Sequence, residues 1–232
     1  MNYLDLVKDL EKFKNPKRNV HESRFFKTGK GEYGEGDIFW GVSVPDLRRL
    51  AKKYFYLDFS DLQNLLNSKV HCFRQTALII LNNKYKKSSA KEKKFIAGFY
   101  LKNTKNVNNW DLVDISAPNI PGDYFFDKDK SILYKLAKSK NLWERRISVM
   151  ATFSFIRQNQ FKDTFKIAEI LLKDEHDLIH KAVGWMLREI GKKDLKTEKE
   201  FLKKHYLKMP RTMLRYAIEK FSKNEKEKYL AK

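Results

Sequence analysis

The stretch D-L-I-H-K-A-V-G-W-M-L-R-E-I at 177–190 shows the pattern that decides the fold of this chain. Its apolar side chains recur every three or four residues, which is the period of an α-helix that is buried along one face. Apolar residues recur in the same way over most of the chain, which contains only nine glycines and five prolines. The sequence therefore predicts an all-α protein and argues against an all-β fold, which would need many turn residues.

The predicted helices recur at a regular spacing. Alternate helices begin near residues 70, 108, 142, 177 and 210, in steps of about 33 to 38 residues. Helix–turn–helix units of that length are typical of HEAT and armadillo repeats, which stack into a superhelix with a concave face. An irregular helical domain whose spacings agree by chance is the alternative. Because no polar linker divides the chain, we predict a single domain over residues 1–232.

Punctuating residues predict where individual helices begin and end. Ser60 is the predicted cap of a helix over 58–66. Pro118 and Pro121 are predicted to end the helix that holds Trp110, since the residue before a proline avoids the α conformation. Gly191 is predicted to follow the last residue of a helix. The other predicted helices cover residues 90–102, 108–117, 127–139, 142–156, 161–173, 177–190, 195–208 and 210–221.

The charge of the chain is strongly positive. Lys and Arg number 49 against 29 Asp and Glu, which gives a formal net charge of +20. Such a charge opposes compaction of the chain through self-repulsion. Its usual partner is a polyanion, because binding of cationic side chains to phosphates releases the counterions of the polyanion. A general lysine enrichment that keeps the protein soluble is the alternative. The balance favours a basic face that binds nucleic acid.

Cysteine content and hydropathy limit the compartment and class of the protein. Cys72 is the single cysteine, and its apolar surroundings predict a buried thiol with no disulfide. Residues 1–14 predict an amphipathic helix and not a signal peptide. No run approaches the roughly 20 apolar residues that a membrane span needs. We expect a soluble cytoplasmic protein that does not associate with membranes.

The first candidate for chemistry is the segment 108–118. Trp110 and Asp114 lie four residues apart, so they share a helix face. Asp111, in the first turn, is explained by the helix dipole. A carboxylate beside an indole in a cleft can stabilise a cation, which makes Asp114 a catalytic candidate. A capping or salt-bridging aspartate beside a core tryptophan shows the same spacing, and both interpretations stay open.

Two further helices combine tryptophan with basic residues. Trp185 is flanked by Lys181 and Arg188, a pattern typical of nucleic-acid surfaces, although a core tryptophan has the same spacing. Arg146 points along a largely apolar face and needs an anionic partner, either a carboxylate or a bound phosphate. Arg145 faces about 100° away and is the more ordinary surface arginine.

A glycine-rich segment, K-T-G-K-G-E-Y-G-E-G-D at 27–37, interrupts the helical pattern. It is predicted to be a loop whose backbone N–H groups could approach a phosphate, with Lys27 and Lys30 as DNA contacts. A flexible connector is the alternative, and the phosphate-binding motif of nucleotide hydrolases is absent.

Two histidines raise the question of a metal site. His176 and His180 are four residues apart, which is a spacing that can hold zinc, but no clear third ligand accompanies them. Capping of the helix by Asp177 or His176 is the favoured interpretation. We expect no metal and no cofactor.

Four blocks of sequence resemble the AlkD-like DNA alkylation repair family. They are W-G-V-S-V-P-D-L-R-R-L-A-K at 40–52, N-N-W-D-L-V-D-I-S-A-P at 108–118, W-E-R-R-I at 143–147 and H-D-L-I-H-K-A-V-G-W-M-L-R-E-I-G-K at 176–192. The resemblance implies a HEAT-like superhelix acting as a monomer. It also implies a monofunctional glycosylase that excises N3- and N7-alkylated purines from duplex DNA without flipping the base.

The same resemblance assigns roles to residues. Asp114 would stabilise the positive charge that grows on the deoxyribose and position the attacking water. Trp110 and Trp185 would pack against the sugar. Arg146 would hold the adjacent phosphate, with Arg145 as the alternative if the register shifts by one.

The segment 24–40 departs from the family pattern. Its glycine-rich sequence replaces an N-terminal segment that supplies DNA contacts, and Phe25, Phe26 and Tyr33 are the candidates for those contacts here. This departure indicates a divergent branch with altered or weak excision activity. A second function also stays open, a non-catalytic HEAT-like module that binds DNA or RNA.

Overall fold

The computed structural model describes residues 2–231, and helices make up most of this part of the chain. Residues 2–231 contain no β-strand, and one isolated parallel bridge joins Ile38 to Val70. The α-helices are α1 (Tyr3–Glu11), α2 (Pro16–Phe25), α3 (Val44–Lys53), α4 (Phe59–Leu66), α5 (His71–Lys87), α6 (Ala90–Lys102), α7 (Trp110–Ser116), α8 (Ser131–Ala137), α9 (Leu142–Ala151), α10 (Phe153–Arg157), α11 (Lys162–Leu171), α12 (Asp177–Lys193), α13 (Leu195–His205), α14 (Arg211–Ala217) and α15 (Lys223–Leu230). The predicted all-α class is confirmed.

The repeat spacing is preserved in the structure. Helices α5, α7, α9, α12 and α14 begin at residues 71, 110, 142, 177 and 211, within two residues of the predicted starts. The predicted helical-repeat architecture is therefore confirmed. Among residues 2–231, no helix is both long enough and apolar enough to cross a bilayer.

The chain divides into two compact units, Met1–Ser116 and Ala117–Lys232. The N-terminal unit contains α1 to α7, and the C-terminal unit contains α8 to α15. Each has its own buried apolar core, with Leu62 and Leu78 in the first and Ile147 and Leu187 in the second. The single domain over 1–232 stays a prediction, and Met1 and Lys232 lie outside the described residues.

Local chemistry explains where several helices begin. Ser89 and Glu92 form a capping box at the start of α6. The Ser89 side chain accepts a hydrogen bond from the Glu92 N–H, and the Glu92 side chain accepts one from the Ser89 N–H. Helix α4 is capped by Asp58, which accepts a hydrogen bond from the Asp61 N–H at 2.8 Å. The prediction of Ser60 as this cap is wrong, because the Ser60 hydroxyl donates to the Asp58 carboxylate.

Helix α12 begins as one of the two capping predictions requires. His176 is its N-cap, and its Nδ1 accepts a hydrogen bond from the Leu178 N–H at 3.1 Å. His180 Nε2 is hydrogen-bonded to the Asp174 carbonyl oxygen. Both imidazoles therefore have structural partners, which accounts for their spacing without a metal.

The end of α12 differs from the prediction. The helix continues through Gly191 to Lys193, so the prediction of Gly191 as the residue that follows the helix is wrong. A glycine is needed there for another reason. A Cβ at Gly191 would lie 1.7 Å from Oε2 of Glu198, a buried carboxyl on α13. The glycine makes room for that side chain.

Two other predicted boundaries are changed by packing. Helix α7 ends at Ser116, as the two prolines predict, but a π-helical turn over Pro118–Gly122 then continues the winding. The predicted helix over 142–156 is divided into α9 and α10. The division lies where Gly122 approaches the end of α9, since a Cβ on this glycine would be 2.3 Å from the Ala151 carbonyl oxygen.

Cys72 is buried, as predicted, in the first turn of α5. Burial raises the pKa of its thiol to about 12, so the thiol stays protonated at neutral pH. Cys72 therefore behaves as a small, unreactive apolar side chain of the core.

Gly184 allows α12 and α14 to pack closely, and its replacement tests that packing. A Cβ there would lie 2.4 Å from the Met213 carbonyl oxygen and 2.5 Å from the Tyr216 Cβ. We expect Gly184→Ala to lower the free energy of unfolding by about 1–2 kcal/mol, because overpacking outweighs the gain in helix propensity. Gly98→Ala in α6 is the matched control, since its Cβ would meet nothing within 4 Å. Urea denaturation should show the control unchanged or stabilised, and equal effects of the two variants would contradict the prediction.

Glu198 gives the C-terminal unit a pH-dependent stability. Burial raises the pKa of its carboxyl from 4.5 to about 8. The folded state therefore binds more protons than the unfolded state between these values, and the free energy of unfolding falls as the pH rises through this window. We expect Glu198→Gln to remove a slope of up to about 1.4 kcal/mol per pH unit. Denaturation series at pH 5 to 8 should show that slope in the wild type and in the exposed control Glu200→Gln, whereas equal slopes in all three proteins would refute the assignment.

Candidate active site

The short helix α7 carries both N-terminal members of the predicted site. The Asn109 side chain accepts a hydrogen bond from the N–H of Trp110, the first residue of α7, at 2.8 Å. Trp110 and Asp114 are half-buried, whereas the intervening Leu112 and Val113 are buried. The structure therefore places the indole and the carboxylate on one accessible face of α7, one turn apart.

Asp114 lies close to a buried phenol. Tyr100 of α6 is fully buried, and its hydroxyl is 3.0 Å from Ser116 Oγ. Burial raises the pKa of the Tyr100 phenol well above its usual range, and the negative charge of Asp114 adds to that rise. The Ser116 hydroxyl also bonds the Leu112 carbonyl oxygen at 2.6 Å. These contacts fix the C-terminal turn of α7, on which Asp114 lies.

Asp111 has a larger role than a partner of the helix dipole. It is 8% exposed, and its two carboxylate oxygens lie 3.0 Å from His71 Nε2 and 3.1 Å from Gln75 Nε2. Both partners belong to the first turns of α5, so these bonds attach the start of α7 to α5. The two side chains are 40 and 36 residues away in sequence, and no local pattern predicted the contact.

The residues just before the glycine-rich segment supply aromatic contacts to Trp110. Phe26 lies nearly flat against the indole, with ring centroids 5.2 Å apart and an interplanar angle of 22°. Phe25 meets the same indole edge-on at 5.7 Å and is itself 56% exposed. Tyr33 is half-buried, and its hydroxyl donates to the Phe25 carbonyl oxygen at 3.4 Å. One face of the Trp110 ring is therefore in contact with Phe26.

The backbone of the glycine-rich loop is occupied by its own carboxylates. The Gly29 N–H donates to Glu32 and the Gly31 N–H donates to Glu35, both at 2.8 Å. Negative charge already lies where a phosphate would have to bind. Binding of a phosphate by these two N–H groups would have to displace Glu32 and Glu35, and the phosphate cradle stays a prediction.

The end of the loop is attached firmly to α5. Asp37 and Arg74 form an ion pair of 2.7 Å whose side chains are 5% and 2% exposed. Ile38 bridges Val70, and the Ile38 N–H donates to the Lys69 carbonyl oxygen at 2.9 Å. This anchoring fixes the segment at its C-terminal end, and a flexible connector over the preceding residues stays the alternative.

Lys27 and Lys30 are exposed in this loop. Lys27 adopts a left-handed backbone conformation with φ of 51°. Solvent exposure leaves both ammonium groups accessible to phosphates, and their contact with DNA stays a prediction.

In the C-terminal unit, the two neighbouring arginines of α9 have different surroundings. Arg146 is 4% exposed and donates to the Leu178 carbonyl oxygen in the first turn of α12. Arg145 is half-buried, with Nε 2.6 Å from the Asp174 carboxylate. The sequence indicated an anionic partner for Arg146, but a main-chain carbonyl is one of its acceptors.

Trp185 is half-buried on α12, the helix that Arg146 contacts. Its Nε1 donates to Glu189 at 3.0 Å. The two predicted flanking cations both have acidic partners, since Lys181 pairs with Asp177 at 2.7 Å and Arg188 pairs with Glu219. Binding of phosphates by these cations would compete with those pairs.

Comparison with known proteins decides the family. A family model described as DNA alkylation repair enzyme matches residues 6–221. The chain belongs to this family. Membership gives the chain a role in the repair of alkylated DNA and confirms the resemblance carried by the four sequence blocks.

Solved structures of relatives agree with the fold. A predicted DNA alkylation repair enzyme from Enterococcus faecalis is 17% identical, with 90% of this chain and 97% of that chain covered and a TM-score of 0.68. AlkD2 from Streptococcus mutans is 20% identical, with coverage of 95% and 97% and a TM-score of 0.53. No curated protein matches the sequence. At these identities the likeness shows the helical-repeat fold.

Proposed function

We propose that this family member is a monofunctional DNA glycosylase that hydrolyses the N-glycosidic bond of N3- and N7-alkylated purines in duplex DNA. The observation that carries the proposal is that Trp110 and Asp114 lie one turn apart on the same accessible face of α7. Family membership supports a DNA substrate, and the net charge of +20 supports binding to its phosphates.

The chemistry suits a carboxylate with an indole beside it. An alkylated purine is cationic, so it leaves with the electron pair of the glycosidic bond and becomes neutral without a general acid. The positive charge then grows on the deoxyribose, where Asp114 stabilises it and positions the attacking water. Water supplies the hydroxyl on the sugar and releases a proton. The indole face of Trp110 favours the cationic sugar.

Within the C-terminal unit, Trp185 and one of the two arginines of α9 are further proposed DNA contacts, as the resemblance implies. Arg145 is more exposed than Arg146, so exposure favours Arg145 as the phosphate contact, while Arg146 holds α12 through Leu178. This exchanges the first and second choices made from the sequence. Contacts to the sugar and phosphate of the DNA require no pocket for a flipped base, and we propose that the base stays unflipped.

A second function is favoured by one specific observation. Phe26 covers one face of the Trp110 ring, and a tryptophan whose face is covered has less surface for a sugar. The alternative is a non-catalytic module that binds DNA or RNA through its positive charge.

The two functions differ in what they do to a single lesion. The test uses a duplex oligonucleotide with one 7-methylguanine, an excess of wild-type protein and alkaline cleavage of the resulting abasic sites. Cleavage at the lesion, and none in the unmodified duplex, is expected for the glycosylase. Fluorescence anisotropy on the same duplex measures binding. Binding without abasic sites would reject the glycosylase and leave the module.

A further inference from the structure

We propose that His71 is a positioning residue that holds Trp110 in its working orientation. The catalytic consequence rests on the proposed glycosylase function, whereas the effect on Trp110 does not. His71 is 3% exposed at the start of α5 and belongs to none of the sequence blocks that carry the family resemblance.

The first contact of His71 is made by its edge. Nε2 lies 3.0 Å from Oδ1 of Asp111, the residue that directly follows Trp110. The other carboxylate oxygen accepts from Gln75 at 3.1 Å, and Oδ1 also accepts from the Leu112 N–H at 2.9 Å. The position of the first turn of α7 therefore depends on a buried carboxylate whose partners come from α5.

The second contact is made by the face of the His71 ring. It stacks on Phe39, with centroids 4.5 Å apart and an interplanar angle of 22°, and it meets Phe26 at 5.2 Å. Phe26 also stacks on Phe39, at 4.9 Å and 12°, and on Trp110, at 5.2 Å. The imidazole, Phe26 and the indole thus form one continuous aromatic cluster.

The backbone next to His71 is itself fixed. The His71 N–H donates to the Ile38 carbonyl oxygen at 2.9 Å, and Arg74, one turn later, pairs with Asp37. The imidazole is consequently a rigid support. It supports Trp110 in two ways. One is through the carboxylate of Asp111, which follows Trp110 in the chain, and the other is through the phenyl ring of Phe26, which lies against the indole.

Two substitutions separate these contacts. His71→Gln keeps an amide donor for Asp111 and removes the stacked ring, whereas His71→Phe keeps a ring and removes the donor. We expect each to lower the single-turnover rate of base release about tenfold with the DNA affinity unchanged, because a small misplacement of a catalytic group is costly. In a Trp110→Phe background, His71→Gln should cost much less, since residues that act through one another are not additive.

A fluorine spectrum tests the positioning without any activity. The chain has four tryptophans, so protein labelled with 5-fluorotryptophan gives four signals, and the signal that Trp110→Phe removes belongs to Trp110. Both His71 variants should shift or broaden this signal and leave those of Trp143 and Trp185 unchanged. Thermal melting confirms that the variants are folded. An unmoved Trp110 signal in both folded variants would overturn the proposal, whereas absence of base release by the wild type would overturn only the glycosylase function.

Discussion

Asp114→Asn is expected to lower the single-turnover rate of base release by about 100- to 1000-fold, which is the usual effect of removing one electrostatic group from a transition state. The amide has nearly the same shape as the carboxylate but no negative charge for the developing sugar cation. Binding of DNA should be unchanged or tighter, because a negative charge near the phosphates is removed. The measurement is base release with protein in excess, combined with anisotropy on the same duplex.

Asp127→Asn is the matched control for this variant. Asp127 is exposed, and its carboxylate pairs with its neighbour Lys128. The control should release base at the wild-type rate. Equal rates for Asp114→Asn and the wild type would show that Asp114 has no catalytic role, and a loss of DNA binding together with the loss of rate would indicate a structural role instead.

Asp37→Ala is expected to lower the free energy of unfolding by about 3–5 kcal/mol, the typical effect of leaving one charge of a buried pair without its partner. Arg74 would keep its positive charge at 2% exposure. The anchor of the glycine-rich segment would also be lost, and with it part of the support for Phe26. Urea denaturation followed by circular dichroism measures the change.

A double variant separates the stranded charge from the loss of attachment. Asp37→Ala combined with Arg74→Met removes both charges, and it should be clearly more stable than Asp37→Ala alone, because replacement of a whole buried pair is often neutral. Asp127→Ala, at an exposed pair, should cost less than about 1 kcal/mol. A loss below about 1 kcal/mol for Asp37→Ala would contradict the importance of the ion pair.

The helices were predictable because their signals are local. Period, caps and spacing placed the starts of α6, α9, α12 and α13 at the observed residues. Two of the errors lie where a contact with another element of the fold is involved. Gly191 lies inside α12 and makes room for Glu198 of α13, and the helix predicted over 142–156 is divided where the backbone of Gly122 approaches the Ala151 carbonyl oxygen.

The same distinction applies to the candidate site. Trp110 and Asp114 were found because i, i+4 spacing places two residues on one face of a helix. The contacts that hold them were not predictable, since His71 is 40 residues from Asp111 and Phe26 is 84 residues from Trp110. The sequence did single out Phe26 as an aromatic candidate, but for DNA and not for the indole. An imidazole and an amide at positions 71 and 75 were the available signal for a buried polar partner.

The most direct test of the central claim is the chemical identity of the product. Wild-type protein is incubated in excess with methylated duplex DNA, and mass spectrometry measures free 7-methylguanine and 3-methyladenine in the soluble fraction. The proposed function predicts release of the free bases, with the DNA strands uncut until alkali is added. Methylated bases that remain in intact DNA to which the protein is bound would contradict it.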